Sequence, residues 1–499
     1  MKINDINTEE IQSIVEESLL QVMDFPTHFT LYPDSLRNID EGLFISLIIR
    51  GHWFLFILSS DEIVKGFEGT SGSINNHLFM LCPENSQNII ALRKLFPFLK
   101  PSVIGKNKDT FGVGDRLGIA SQGHLRVFKR YDSIPVLAQQ SMRELSLTGR
   151  TFSDVIDAST WAVFRSGYEG LWAADGDHLK YEDDVIHAVS QGCTMITADV
   201  SDHINFNIEK MPEDEILKLF NQLDESYRKR ISKIFNGIIK LASGITLNYN
   251  NENLARISLT YCDAITHAKT LYLAALRNSK ELDFEISIDE IELPTTAEEH
   301  YFVAMELKKL GVDFSSLAPR FIGEFQKGID YIGDVEQFRQ CFQEHDRIAQ
   351  ALSHKISIHS SSDKFSVYPI ISEERCGAFH LKTSGTNWLI ALETISFLDP
   401  EFFKKVYFYA YEVFETARAY YHVTPNMSLK SDISNIVDKE LKKIFDNPTD
   451  RQVLHVSYGE VFKNLELKDH IFDLLRCNIE EYWDRLDSHI GYHLELLYG

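Results

Sequence analysis

Eight times between Lys106 and Trp388 one arrangement recurs: a short apolar run closes in a cluster of charged, polar or glycine residues and then yields to helical periodicity. The first four runs are TFGVGDRLGIAS, closing at Asp115 and Arg116; IPVLAQQSMRE, at Gln139, Gln140 and Arg143; GLWAADGDHLK, at Asp175, Asp177, His178 and Lys180; and GCTMITADVSDH, at Asp199, Asp202 and His203. The other four are DFEISIDEIELPTT, closing at Asp289, Glu290 and Glu292; FSSLAPRFIGEFQKG, at Arg320, Glu324 and Lys327; KISIHSSSDKFS, at His359, Asp363 and Lys364; and AFHLKTSGTNW, at His380 and Lys382. The pattern predicts an α/β chain built on a (β/α)8 TIM-type barrel. In such a barrel only the loops that follow the strands face the mouth, so catalytic groups belong at the strands' C-terminal ends. Every cluster falls on that side.

What lies outside the eight units reads as attachments. Residues 1 to about 100 form an N-terminal α/β extension, with an acidic helix from Thr8 to Val22, two buried strands within Leu43 to Leu58 joined at Arg50-Gly51, and a helix from Ile89 to Phe96. Residues 101–499 are the barrel domain. It carries a helical insertion at about 204–282, too long for a plain crossover and expected to lie over the mouth, and a helical C-terminal region at about 400–499. The apolar stretch Leu43–Leu58 is interrupted by Arg50, Gly51 and His52 and falls short of the roughly 20 residues of a spanning helix, so no membrane segment is expected. The polar start, MKINDINTEE, carries no export signal. Six scattered cysteines fit reduced thiols in a cytoplasm. A formal charge of −23 repels polyanions, which excludes a nucleic-acid partner unless a local basic surface overrides it.

The third cluster sets two carboxylates, Asp175 and Asp177, beside an imidazole, His178. Along an extended segment the two aspartates share one side and His178 takes the other, unless a loop beginning at Gly176 releases it. His359 ends the seventh run with a free ring edge and hydroxyl neighbours, as a metal ligand needs. The plainer alternatives are a helix-capping turn for the first and a hydrogen-bonded core histidine for the second. Taken together, His178 and His359 face each other across a barrel mouth, and catalytic divalent ions are held by about three His and carboxylate groups. The third ligand comes from Asp289, Glu290 or Glu292 on the fifth strand, or from Glu324 on the sixth. Glu324 is preferred because it directly follows Phe321 and Ile322, with Gly323 allowing close backbone approach, and this leaves Glu290 for acid–base work. Cations also close several strands, and a local anion site in so acidic a chain would match a substrate carboxylate. Arg143, Lys180, Arg320, Lys364 and Lys382, with Asp363, form the expected substrate-binding set, against the alternative of ion pairs with nearby acids. Asp263 and His267, at i and i+4 on a helix, read as a solvated face. FGVGDRLG lacks the spacing of a nucleotide loop.

The strings AQQSMRELSLTGRT, DASTWAVFRSGYEG, AADGDH, DFEISIDEIELPT, RFIGEFQKGIDY, KISIHSSSDKFSVYP, FHLKTSGT and RQVLHVSYG, with TFGVGDRLGIAS before them, resemble the tagaturonate epimerase family in order from about Asp109 to Tyr458. The resemblance implies a barrel isomerase that uses a divalent metal, Zn2+, Mn2+, Ni2+ or Co2+, to interconvert D-tagaturonate and D-fructuronate in hexuronate breakdown. It implies acid/base roles for Asp177 and Glu290 and metal ligation by His178, Glu324 and His359. The two ketose acids differ at C4, which the C2 carbonyl does not acidify, so C3–C4 cleavage to a metal-stabilised enediolate and an aldehyde is the expected route. Alternatives are an aldose–ketose isomerase or lyase acting on a sugar acid, and a non-catalytic sugar-acid sensor. The expected partner is a small sugar acid. Oligomeric state is not legible.

Overall fold

Runs such as Ile134–Ser141 and Asp283–Ser287 are buried on both faces, as parallel strands covered by helices on one side and packed inside a barrel on the other must be. In the computed structural model, which describes residues 7–23, 28–39, 42–59, 63–383 and 385–499, they are two staves of a closed barrel.

In chain order, β1 (Phe29–Ile39), β2 (Gly42–Ile49), β3 (His52–Ser59), β4 (Thr70–Ile74) and β5 (His77–Pro83) form an antiparallel sheet of order β1-β2-β3-β5-β4. Arg50 and Gly51 are both left-handed, at φ 50° and 78°, and join β2 to β3 as a two-residue hairpin turn with Ile49 opposite His52. The helix Thr8–Val22 covers one face of this sheet and Phe152–Ser166 lies against β1 and β2. The barrel comprises β6 (Thr110–Gly112), β7 (Ile134–Ser141), β8 (Ala173–Leu179), β9 (Met195–Asp199), β12 (Asp283–Ser287), β13 (Ser316–Ala318), β14 (Lys355–Ile358) and β15 (Phe379–Lys382). It closes in that order, all pairs parallel, with β15 back on β6. All eight strands lie in the runs picked out above.

The insertion differs from a helical hairpin. Helices Glu213–Phe220 and Glu225–Phe235 are followed by an antiparallel pair, β10 (Gly237–Lys240) and β11 (Thr246–Tyr249). The 25-residue helix Asn251–Ala275 then packs on Glu182–Ser190, Ala297–Lys309 and β9 as the crossover back to the barrel. The β-pair went unread because its strands are only four residues long and mostly exposed, which leaves little apolar alternation to see. The C-terminal region is helical. Its last helix, Ile479–Tyr498, lies on the barrel helices Ser121–Phe128 and Tyr368–Glu374. No helix among the described residues is long and apolar enough to cross a membrane.

Candidate functional site

β8 ends on a deliberate irregularity. Its pairing with β9 slips between Gly176 and Leu179, and His178 is left-handed at φ 52°, a conformation that a non-glycine residue holds only where its surroundings fix it. The slip overrides simple alternation: Asp177 and His178 both line one cavity of about 760 Å³ at the strands' C-terminal ends, together with Asp289, Glu290, Glu324, His359 and Lys382.

At the floor of the cavity the Lys382 ammonium lies 2.7 Å from Asp177 Oδ1, 2.8 Å from Asp175 Oδ2 and 3.0 Å from Glu285 Oε1, and also donates to Thr197 Oγ1. Burial alone would raise the Asp177 carboxyl, but Lys382 and His178 outweigh it and hold it below the usual carboxylate range. Asp175, deeper, is pushed up to about 6 by burial against the pull of Lys382. One cation is therefore shared unequally among three acids and favours the ionised form of Asp177, the one at the cavity wall.

His359 directs Nε2 at Glu285 Oε1, 2.8 Å away, which leaves Nδ1 toward the cavity. That nitrogen is 3.0 Å from Asp289 Oδ1 but lacks the alignment of a hydrogen bond. His178 Nδ1 stands 3.6 Å from Asp199 Oδ2 and 3.8 Å from Glu290 Oε1, and the two imidazoles meet edge to face at 4.8 Å between centroids. His178 Nδ1, His359 Nδ1 and Asp199 Oδ2 are all buried without a hydrogen-bond partner. Orphaned buried polar atoms are costly. Among the described residues His178, Asp199 and Glu290 offer ligand atoms that all lie within 4.8 Å of one another, close enough to share one divalent ion, while His359 Nδ1 faces Asp289 beside that group. Burial alone would lower the His178 imidazole, yet Asp177 and Asp199 carry it up to about 10: the local field favours positive charge. A carboxylate on the far ring nitrogen, as Glu285 is for His359, is the usual support of a ligating histidine. The donor set fits a divalent cation.

The other expected residues divide. Arg143, Arg320 and Lys382 line the cavity. Lys180, Asp363 and Lys364 do not. Lys180 turns to Asp202 at 2.8 Å. Lys364 gives its ammonium to three backbone carbonyls, Gln326, Ile329 and Ser362, and Asp363 is held by Arg451 at 2.8 Å and His489 at 2.6 Å. These three serve the loops instead of facing the mouth, and Asp363, left-handed at φ 58°, marks where the seventh loop bends away from it. Lys382 has no donor left for a substrate. Glu324 lines the cavity, but its carboxylate stands by Arg320 at 3.3 Å and His422 at 3.8 Å; among the described residues, the carboxylates gathered with His178 are those of Asp199 and Glu290. His267 bonds the Lys180 carbonyl and stacks on His203, so the Asp263–His267 spacing serves packing. A second grouping, Asp363 with His489 and His493, is already saturated, since His493 Nε2 accepts the Asp363 N–H and both Asp363 oxygens are bonded.

Sequence reasoning passed over Glu285, mid-strand in a wholly buried run with no local mark of function, and Lys327, whose only signal was its place in the sixth cluster. The insertion contributes Phe206, Asn207 and Lys210, and the C-terminal region Tyr420, Tyr421 and His422.

The family model for tagaturonate epimerase matches residues 32–497. The tagaturonate/fructuronate epimerase of Thermotoga maritima is 40% identical over 422 residues, 84% of this chain and 87% of that protein. Crystal structures of the fructuronate-tagaturonate epimerase of Cohnella laeviribosi, one native and one with two glycerols, superpose with TM-scores of 0.90 and 0.91 at 37% identity, covering 98% of this chain and 99% of that one.

Proposed function

Because the chain belongs to the tagaturonate epimerase family and is an isomerase acting on carbohydrates, we propose that it interconverts D-tagaturonate and D-fructuronate by inverting C4 of the ketohexuronate. The observation that carries this reading is an ionised carboxylate, Asp177, locked by Lys382 beside two histidines with unpartnered nitrogens at the barrel mouth.

Asp177 is the base that takes the C4 hydroxyl proton. As that proton leaves, the C3–C4 bond breaks; its electron pair moves toward the C2 carbonyl to give an enediolate, and C4 becomes an aldehyde. Rotation presents the aldehyde's other face, C3–C4 forms again, and Glu290 returns a proton to the C4 oxygen; solvent then restores both acids. His178, His359 and one carboxylate would hold a divalent cation, which would supply Lewis acidity toward the carbonyl. Glu324 is the third ligand that the family resemblance implies, and Asp199 and Glu290 are the acids gathered with His178. Glu290 stands by His178 whereas Glu324 stands by Arg320 and His422, so metal content decides between them: if Glu324 is the ligand, Glu324→Gln loses the ion and Glu290→Gln keeps it, and the reverse outcome exchanges their roles.

The test is NMR of the purified protein with D-tagaturonate and no nicotinamide. D-Fructuronate should form, exhaustive chelation should stop it, and Zn2+, Mn2+, Ni2+ or Co2+ should restore it. In D2O the product should carry no deuterium at C4, since the C4 hydrogen never leaves carbon. Full activity after chelation removes the metal role, and deuterium entering C4 in step with turnover removes the cleavage route.

A further inference from the structure

A ketohexuronate brings a carboxylate into an acidic protein, and something in the cavity must receive it. Most of the cations near the mouth are committed. Lys382 is shared among three acids, and Arg320 stands by Glu324. Arg143 donates to the Tyr420 carbonyl at 2.9 Å and stacks over Tyr421 at 4.5 Å from the ring centre. Lys180 and Lys364 point elsewhere.

Lys327 differs. It lines the cavity, is partly buried, and has no hydrogen-bond or ion-pair partner among the described residues. Burial disfavours its ammonium, as do the like charges of Arg116 and Arg143, and Glu144, which opposes them through space, is already taken by two nitrogens of Arg116. A half-desolvated ammonium without a counter-ion is costly unless an anion completes it.

The backbone around Lys327 is fixed on both sides. Gln326 Oε1 accepts from Thr424 and Gln452, and the Gln326 carbonyl accepts from Lys364 at 2.9 Å. The Gly328 carbonyl accepts from Arg451 Nε at 2.6 Å, and Asp363 holds Arg451 in turn. Such a frame presents one side chain in one place, which is how a binding group is preorganised.

We propose that Lys327 binds the terminal carboxylate of the ketohexuronate, and that Asp363, Lys364 and Arg451 are positioning residues that hold its loop. This rests on the epimerase reading above and adds to it which end of the substrate lies where.

The test compares the wild type with Lys327→Met and Lys327→Arg, each as metal-loaded full chain. The substrates are D-tagaturonate and D-tagatose, the same ketose with a hydroxymethyl in place of the carboxylate. For K327M, KM for tagaturonate should rise roughly 10- to 100-fold, the scale of a lost charged hydrogen bond, with a smaller change in kcat, and the preference for tagaturonate over tagatose should collapse. K327R should recover most of both. A K327M enzyme whose KM and preference stay within twofold of wild type overturns the proposal. If K327M does not fold, the wild type still decides: its KM for tagaturonate should climb with ionic strength while that for tagatose stays flat, and equal salt dependence overturns the proposal. If the wild type does not convert tagaturonate, the epimerase reading fails separately. Calorimetric titration with D-galacturonate then asks whether K327M has lost affinity for a hexuronate carboxylate, and equal affinity rejects the role of Lys327.

Discussion

At the end of β15, Lys382 gives one buried ammonium to Asp175, Asp177 and Glu285, carried by two other strands. Removing it leaves three carboxylates facing one another. Lys382→Met should therefore cost about 3–5 kcal/mol of stability by chemical denaturation, far more than loss of an exposed substrate contact. The neighbouring groups separate by what they hold. His178→Ala and His359→Ala should lower bound metal and turnover together, since losing one of about three ligands weakens a site severely. Asp177→Asn keeps size and shape but removes the base. It should leave the metal bound, by elemental analysis, and cut kcat by roughly 10²-fold or more. An Asp177→Asn protein that lost its metal would make Asp177 a ligand instead.

Between the helices Ala297–Lys309 and Val335–Ala351 runs a chain of three buried imidazoles. His345 Nε2 meets the Thr295 carbonyl, His345 Nδ1 meets His300 Nδ1, and His300 Nε2 meets His354 Nε2, each at 3.0 Å. With His345 donating to the Thr295 carbonyl, the contacts alternate donor and acceptor only if His345 and His300 are neutral, and burial disfavours charge on His354 at the end of the chain. Burial lowers each of them, His345 to about 4 and His354 to about 3. Their folded values lie below the ordinary 6.5, so the unfolded chain binds protons first as pH falls. Stability from this element is complete above about pH 6.5 and drains away as pH descends toward 4 and then 3. Between pH 7 and 5 the loss for His345 alone is about 2 kcal/mol. His345→Gln, which cannot titrate, should show a shallower fall of the thermal midpoint over that range. A slope equal to the wild type's would mean that His345 does not contribute.

Over the whole molecule, Trp483 ties three regions together. Its indole N–H donates to the Ile119 carbonyl at 2.7 Å, and its ring meets Tyr32 and stacks on Trp53 of the N-terminal sheet, while Arg126 of a barrel helix covers it. Trp483→Ala should cost roughly 3–5 kcal/mol, read by denaturant titration, with kcat per folded molecule unchanged because Trp483 is not among the residues that line the cavity. A lost kcat at full folding would mean that the C-terminal helix governs the site directly. What the sequence by itself determined is the barrel and the ends of its strands. A buried barrel strand is short, carries apolar residues where it packs under its helices, and stops where the chain turns to the mouth, and these marks are local enough to read from residues such as 171–178 or 355–359. The resemblance of those segments to one family followed from the same local strings. Only the tertiary structure decided which charge faces which. Lys382 reaches Asp175 across 207 positions, Glu285 supports His359 from a strand whose alternating polar residues do not say what they will face, and Asp363 and Lys364 turn away to brace the loop of Lys327. Pairing of charges depends on distances between strands and on how each loop bends after its last ladder bond, and neither is written in the spacing of residues along one chain.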